Sequence, residues 1–185
     1  KTFKNDKPLE LPNTIKKPLI ICGQSDLRNK NSDIVHLAEK IGAPILSDIS
    51  SNIKLSKNII SFFDHFIDEI EPPDLILRFG CKPLSKKLLS LIKKHHDITY
   101  LIRSRTIFND DVIESNVFNS VIEDFSNDKQ KTSWINLFIE KDEIINQKIN
   151  KISESSEINE YSFAYQLMEK IPDNSNIFIG NSLMI

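Results

Sequence analysis

The chain has 185 residues, of which 39% are hydrophobic and 27% charged, and its net charge is -2. That balance describes a soluble globular protein with one core and room for the start of a second. A nearly neutral chain without a basic tail argues against a dedicated nucleic-acid binder. Its longest apolar runs are strand-sized, far short of the roughly 20 residues that span a bilayer, so no membrane is expected as a partner.

Residues 1–17 carry Pro8 and Pro12 among lysines without periodicity and read as an extended linker. Leu19 to Cys22 is the first predicted strand, turned by Gly23. A helix over about Ser32 to Ile41 places Ile34, Leu37, Ala38 and Ile41 on one face, and Gly42 stops it. Ala43 to Leu46 is a second strand. A polar loop, Ser47 to Lys57, leads to Ile59 to Ile70, where Phe62, Phe63, Phe66, Ile67 and Ile70 form an apolar stripe that predicts a helix.

The stretch from Asp74 to His96 is the organising unit. Leu75 to Phe79 is too short for a helix and apolar enough to be buried on both faces. After Gly80, Leu84, Leu88, Leu91 and Ile92 take one side of a helix and Lys86, Lys87, Lys93 and Lys94 the other. Strand Ile98 to Ile102 follows, and a loop holding Asn109, Asp110 and Asp111 leads to a fifth strand, Asn119 to Glu123. Helices over about Lys131 to Ile152 and Tyr161 to Lys170 come next, then a strand over Asn176 to Ile179. Alternating short strands and amphipathic helices predict a Rossmann-like, three-layer α/β/α fold. Its sheet is expected to be mostly parallel, with five or six strands and Leu75 to Phe79 central.

Gly23, Gly80 and Gly180 each follow a strand, where a parallel sheet forms its ligand crevice, but plain strand-to-helix turns need the same placement. There is no GxGxxG and no GxxxxGK[ST]. His36, His65, His95 and His96 form no metal or nucleophile pattern, and Asp68, Glu69 and Glu71 read as surface or cap residues. Cys22 and Cys81 belong to no CxxC pair and read as small thiols of a reducing compartment. Four arginines stand against twenty lysines. Arg78, Arg103 and Arg105 lie at or just beyond strand ends, where planar guanidinium groups could share an anion or make internal ion pairs.

The run PDLILRFGCKPLSKKL, with LAEKIGAPILSD upstream and FIGNSLMI at the end, resembles the 2-succinyl-5-enolpyruvyl-6-hydroxy-3-cyclohexene-1-carboxylate (SEPHCHC) synthase family. The resemblance covers nearly the whole chain in order. It implies the central domain of a three-domain enzyme: residues 1–17 a linker, 18–152 the middle domain, and 153–185 the start of the diphosphate-binding domain. A start at Lys1 and a stop at Ile185 inside an apolar run agree with a piece of a longer polypeptide. Such an enzyme is a cytoplasmic, homo-oligomeric transferase of menaquinone or phylloquinone biosynthesis that uses thiamine diphosphate and magnesium. It decarboxylates 2-oxoglutarate and adds the succinyl unit to isochorismate.

The resemblance further implies that this piece alone is inactive and binds neither cofactor, its partners being the other two domains. It places Asn181 and Ser182 at the substrate, through a Gly-Asn-Ser segment that aligns without a gap, although the family's neighbouring arginine is missing. The alternative expectation is a free-standing module of the same fold that binds an anion or metabolite through the strand-end arginines.

Overall fold

In the computed structural model, which describes residues 2–5, 8–12, 14–24, 31–53, 56–102, 115–118, 121, 130–154 and 159–177, seven strands join in one sheet. They are β1 (Thr2–Asn5), β2 (Pro18–Cys22), β3 (Ile45–Ser47), β4 (Ile59–Ile60), β5 (Leu75–Phe79), β6 (Thr99–Ile102) and β7 (Ser115–Phe118). The order is β1-β7-β6-β5-β2-β3-β4, and every neighbouring pair is parallel. Setting β1 aside, this is the doubly wound arrangement in which the chain builds outward from β2 to one side, then returns and builds outward from β5 to the other. The expected central strand is central, in register with β2 from Pro18↔Leu75 to Cys22↔Phe79 and with β6 from Ile76↔Thr99 to Phe79↔Ile102.

Side chains alternate across these strands, and both faces are sealed. Ile20, Cys22, Ile45, Leu75 and Leu77 share one core with Ile34, Leu37, Ala38 and Ile41 of helix α1 (Asn31–Ile41). Leu19, Ile21, Leu46, Ile76 and Arg78 take the opposite parity and are buried as completely. Burial on both faces is why β2 and β5 read as unbroken apolar runs. Right-handed crossovers account for the cover: the β2 to β3 connection advances one way along the sheet and the β5 to β6 connection the other. They therefore put α1 and α2 (Lys86–Lys94) on opposite faces. Leu88 and Ile92 of α2 are fully buried. Helix α3 (Gln130–Ser153) brings Trp134 and Phe138 inward, and the Trp134 Nε1 donates to the Pro18 carbonyl at 2.7 Å.

Several expectations are revised. Ile59–Ile70 is not a helix: Ile59–Ile60 pairs with β3, and two 3-10 turns follow, Phe63–His65 and Ile67–Glu69. Phe66, at φ −140°, separates the two turns, and Ile70 is already extended two residues ahead of Pro72 and Pro73, where a helix cannot continue. The aromatic stripe is still core, with Phe66 meeting Phe138 edge to face at 6.2 Å.

Of the fifth predicted strand, Asn119 to Glu123, only Val121 lies within the described residues, and the strand beside β6 runs over Ser115–Phe118. Ser115–Phe118 pairs with β6, placing Phe118 against Tyr100 at 5.7 Å between ring centroids, while Val121 makes one parallel bridge, to Leu9. The expected loop residues Asn109, Asp110 and Asp111 lie outside the described residues. In the last predicted strand, Asn176 and Ile177 are exposed and not in a strand, and Phe178 and Ile179 lie outside the described residues.

The stretch read as a linker holds the seventh strand. Thr2–Asn5 pairs with β7, and Leu9 is buried. Backbone N–H groups of Lys16 and Lys17 donate to the Asp74 carboxylate at 2.8 and 2.9 Å, and the Asp74 N–H returns a bond to the Lys17 carbonyl. One aspartate thus holds the entry to β2 beside the entry to β5.

The chain divides into two compact units, residues 1–141 and 142–185. The second contains the end of α3 and helix α4 (Glu160–Lys170), opened by a capping box. There the Asn159 side chain accepts from the Ser162 N–H at 2.9 Å and the Asn159 N–H donates to Ser162 Oγ at 3.0 Å.

Candidate functional site

A doubly wound sheet takes its ligands outside the carboxyl ends of the two strands from which the chain winds in opposite directions. Here those strands are β2 and β5, and each ends in a glycine. Gly23 N–H donates to the Phe79 carbonyl at 3.0 Å, and Cys81 N–H donates to the Gln24 carbonyl at 2.9 Å. A Cβ on Gly23 would lie 2.0 Å from the Cys81 carbonyl oxygen. One on Gly80, at φ +75°, would lie 2.5 Å from the Gln24 carbonyl oxygen. The glycines therefore let two turns pack against each other, with the Gly23 and Cys81 amides engaged between them. Among the described residues no group of His, Cys, Asp and Glu is placed to hold a metal.

Beside these turns lies a pair of carboxylates whose partners the sequence does not reveal. Asp48 follows β3 and accepts the Leu84 N–H on Oδ2 at 2.8 Å; Asp64, in the first 3-10 turn, accepts the Ser85 hydroxyl at 2.6 Å. Ser85 Oγ also accepts the Leu88 N–H at 3.1 Å as the cap of α2. Burial raises the Asp48 carboxyl above its ordinary range, the Leu84 N–H pulls it partly back, and the negative charge of Asp64 adds to the rise. Burial, then the charge of Asp48, push the Cys22 thiol far up, so it stays protonated and unreactive. Chemically this is a clasp: carboxylates from the β3 exit and the first 3-10 turn hold the β5 to α2 turn. An aspartate directly after a short buried strand was the one available sequence signal.

The predicted arginine trio is only partly described. Arg78 is 1% exposed in β5 and has an interaction partner within the protein, whereas Arg103 and Arg105 lie outside the described residues. Asn181 and Ser182 also lie outside them, as does Gly180. His36, His65 and His96 are exposed and His95 half-buried, in different elements.

A family model described as "Middle domain of thiamine pyrophosphate" matches residues 11–179. The chain belongs to that middle-domain family. It is also similar to proteins named 2-succinyl-5-enolpyruvyl-6-hydroxy-3-cyclohexene-1-carboxylate synthase. That of Bacillus velezensis is 28% identical over 189 residues, covering 90% of this chain and 32% of the relative. That of Listeria monocytogenes serotype 4b is 26% identical, covering 93% and 33%. That of Bacillus pumilus is 26% identical, covering 99% and 35%. The chain thus spans about a third of the length of these curated relatives. In this middle domain the doubly wound sheet keeps its topology while the turns after β2 and β5 pack against each other. No helix among the described residues is long and apolar enough to cross a membrane.

Proposed function

We propose that this chain is the central, non-catalytic domain of a SEPHCHC synthase. The parent enzyme would decarboxylate 2-oxoglutarate and add the succinyl unit to isochorismate, in the cytoplasm, as a homo-oligomer on the route to menaquinone or phylloquinone. Thiamine diphosphate would supply the decarboxylation chemistry when bound, with magnesium holding its diphosphate, and both would sit on the other two domains of the same polypeptide. The observation that carries this reading is the match of the thiamine pyrophosphate middle-domain family over residues 11–179. Alignment of 90% of the chain with a third of a SEPHCHC synthase supports the choice of parent.

Within this reading, residues 18–152 form the middle domain proper, and the segment from Ser153 opens the diphosphate-binding domain. Asn181 and Ser182 lie at the substrate in the assembled enzyme, and Ser182→Ala raises KM or lowers kcat/KM there while moving stability by less than about 1 kcal/mol. Arg78, Arg103 and Arg105 form an anion site at the carboxyl edge. Its support is placement: Arg103 directly follows Ile102, which pairs with Phe79, the residue after Arg78.

The test is a synthase assay on the full-length parent beside calorimetry on the 185-residue chain. The parent should turn over 2-oxoglutarate with isochorismate, and the chain alone should do neither that nor bind thiamine diphosphate. Micromolar cofactor binding to the chain alone, or a parent inactive on this substrate pair, would overturn the assignment.

A further inference from the structure

Asp48 is a buried carboxylate without a cation. It is 9% exposed, and its only side-chain bond is the one that Oδ2 accepts from the Leu84 N–H at 2.8 Å. Its backbone is fixed on the sheet: the Asp48 N–H donates to the Cys22 carbonyl at 3.0 Å, and the Asp48 carbonyl accepts the Ser51 N–H at 2.9 Å. The groups that face the carboxylate supply no positive charge. From β2 comes the Cys22 thiol, which burial keeps protonated; from the first 3-10 turn comes the Asp64 carboxylate; from the turn between β5 and α2 comes the Leu84 amide. Among the described residues no lysine, arginine or histidine is paired with Asp48 or Asp64. Lys87, in the first turn of α2, is taken by Asp68 at 2.7 Å, while Lys82 and Lys86 are exposed. An unpaired charge is costly to bury, so such a carboxylate either binds a proton or reaches water.

The turn held by Asp48 is lightly anchored. Among the described residues, Lys82, Pro83 and Leu84 make no hydrogen bond besides the one from the Leu84 amide, and Leu84 is 48% exposed. Ser85, next in the chain, donates to Asp64 at 2.6 Å and caps α2 by accepting the Leu88 N–H at 3.1 Å. Two carboxylates thus hold two consecutive residues, one of which starts the helix. We propose that Asp48 is a pH-sensitive latch on this turn: with Asp48 protonated the turn is closed on the β3 exit, and with Asp48 and Asp64 both charged residues 82–85 part from it and admit water. The turn is the moving side, because the Asp48 backbone is bonded to Cys22 and Ser51. The sign follows from burial, which raises the Asp48 carboxyl, with the Asp64 charge adding to the rise. The closed state therefore binds the proton more tightly than the open one, and closure is favoured at low pH and lost as pH rises through the closed-state value. The latch lies within the first compact unit and goes beyond the identity of the parent enzyme.

The experiment is amide hydrogen exchange on the 185-residue chain between about pH 4 and about pH 8, each rate divided by the intrinsic rate at that pH. The Leu84 and Leu88 amides should lose protection together as pH rises from about 4, by at most about tenfold per pH unit for one linked proton, and level off above the closed-state value. Leu77, fully buried in the central strand, should exchange at least about tenfold more slowly throughout, which separates local opening of the turn from global unfolding. Asp48→Asn keeps an acceptor for the Leu84 amide and should abolish the fall; Asp64→Asn keeps one for the Ser85 hydroxyl and should reduce it. Protection at Leu84 that does not change with pH, that equals the protection at Leu77, or that falls equally in Asp48→Asn would each overturn the proposal. The unsubstituted chain alone decides the first two outcomes, so the test stands even where a variant fails to fold. None of these rates depends on catalysis, so an inactive parent would overturn the functional reading and leave the latch to be judged by its own profile.

Discussion

Gly23→Ala tests whether the β2 and β5 turns are held together by contact. Gly23 is not among the positive-φ residues, so an alanine there carries no left-handed backbone penalty. The cost is spatial: the new Cβ would sit 2.0 Å from the Cys81 carbonyl oxygen and 3.3 Å from the Lys82 carbonyl carbon. Both obstacles are backbone, so no side chain can rotate away, and the turns must part by about 1 Å or more to reach ordinary van der Waals contact. Parting them strains the Gly23-to-Phe79 and Cys81-to-Gln24 hydrogen bonds, at 3.0 and 2.9 Å. Overpacking of this kind costs about 1–3 kcal/mol and each bond about 1 kcal/mol more, so a loss of about 3–5 kcal/mol is expected. Equilibrium urea unfolding would read it, followed by far-ultraviolet dichroism and by the fluorescence of Trp134, the only tryptophan. Gly42→Ala is the contrast: at φ +66° it should cost about 1–2 kcal/mol through backbone conformation. A Gly23→Ala protein within about 0.5 kcal/mol of the parent would refute the contact account.

Three further outcomes follow from the clasp and the core. The Asp48 carboxyl is raised in the folded state, so its contribution is fully present below the unfolded value, near 3.9, and is lost as pH rises through the folded value; Asp48→Asn, which keeps an acceptor for Leu84, should remove that component from a stability–pH profile. Ser85→Ala removes the α2 cap and the bond to Asp64, and should cost about 1–2 kcal/mol in urea unfolding. Trp134→Phe leaves the buried Pro18 carbonyl without its 2.7 Å donor and should lower stability by about 1–3 kcal/mol, measured by dichroism because the fluorophore is gone.

Local pattern was enough for the elements whose structure follows from their own periodicity. Leu75–Phe79 could be read as a doubly buried strand from five residues, and α1, α2, α3 and α4 from apolar spacing and their stop signals, because each exposes or buries a face set by 3.6- or two-residue repetition. The parallel class followed from their alternation. What periodicity could not supply was context. The aromatic stripe after Ile59 has helical spacing, yet it is divided at Phe66 and extended at Ile70 ahead of Pro72 and Pro73, and forms 3-10 turns. The edge strand at Thr2–Asn5 exists only because β7 offers it a partner more than a hundred residues away. The candidate site divides in the same way. Glycines after β2 and β5 were visible as turn residues, but that they let two turns 57 residues apart pack too closely for a Cβ on Gly23 is decided by the tertiary structure. Asp48 and Leu84 are 36 residues apart, and Asp64 and Ser85 are 21 apart; their bonds are made by strand order, which hydrogen-bonded pairing across the whole sheet decides and no single segment encodes.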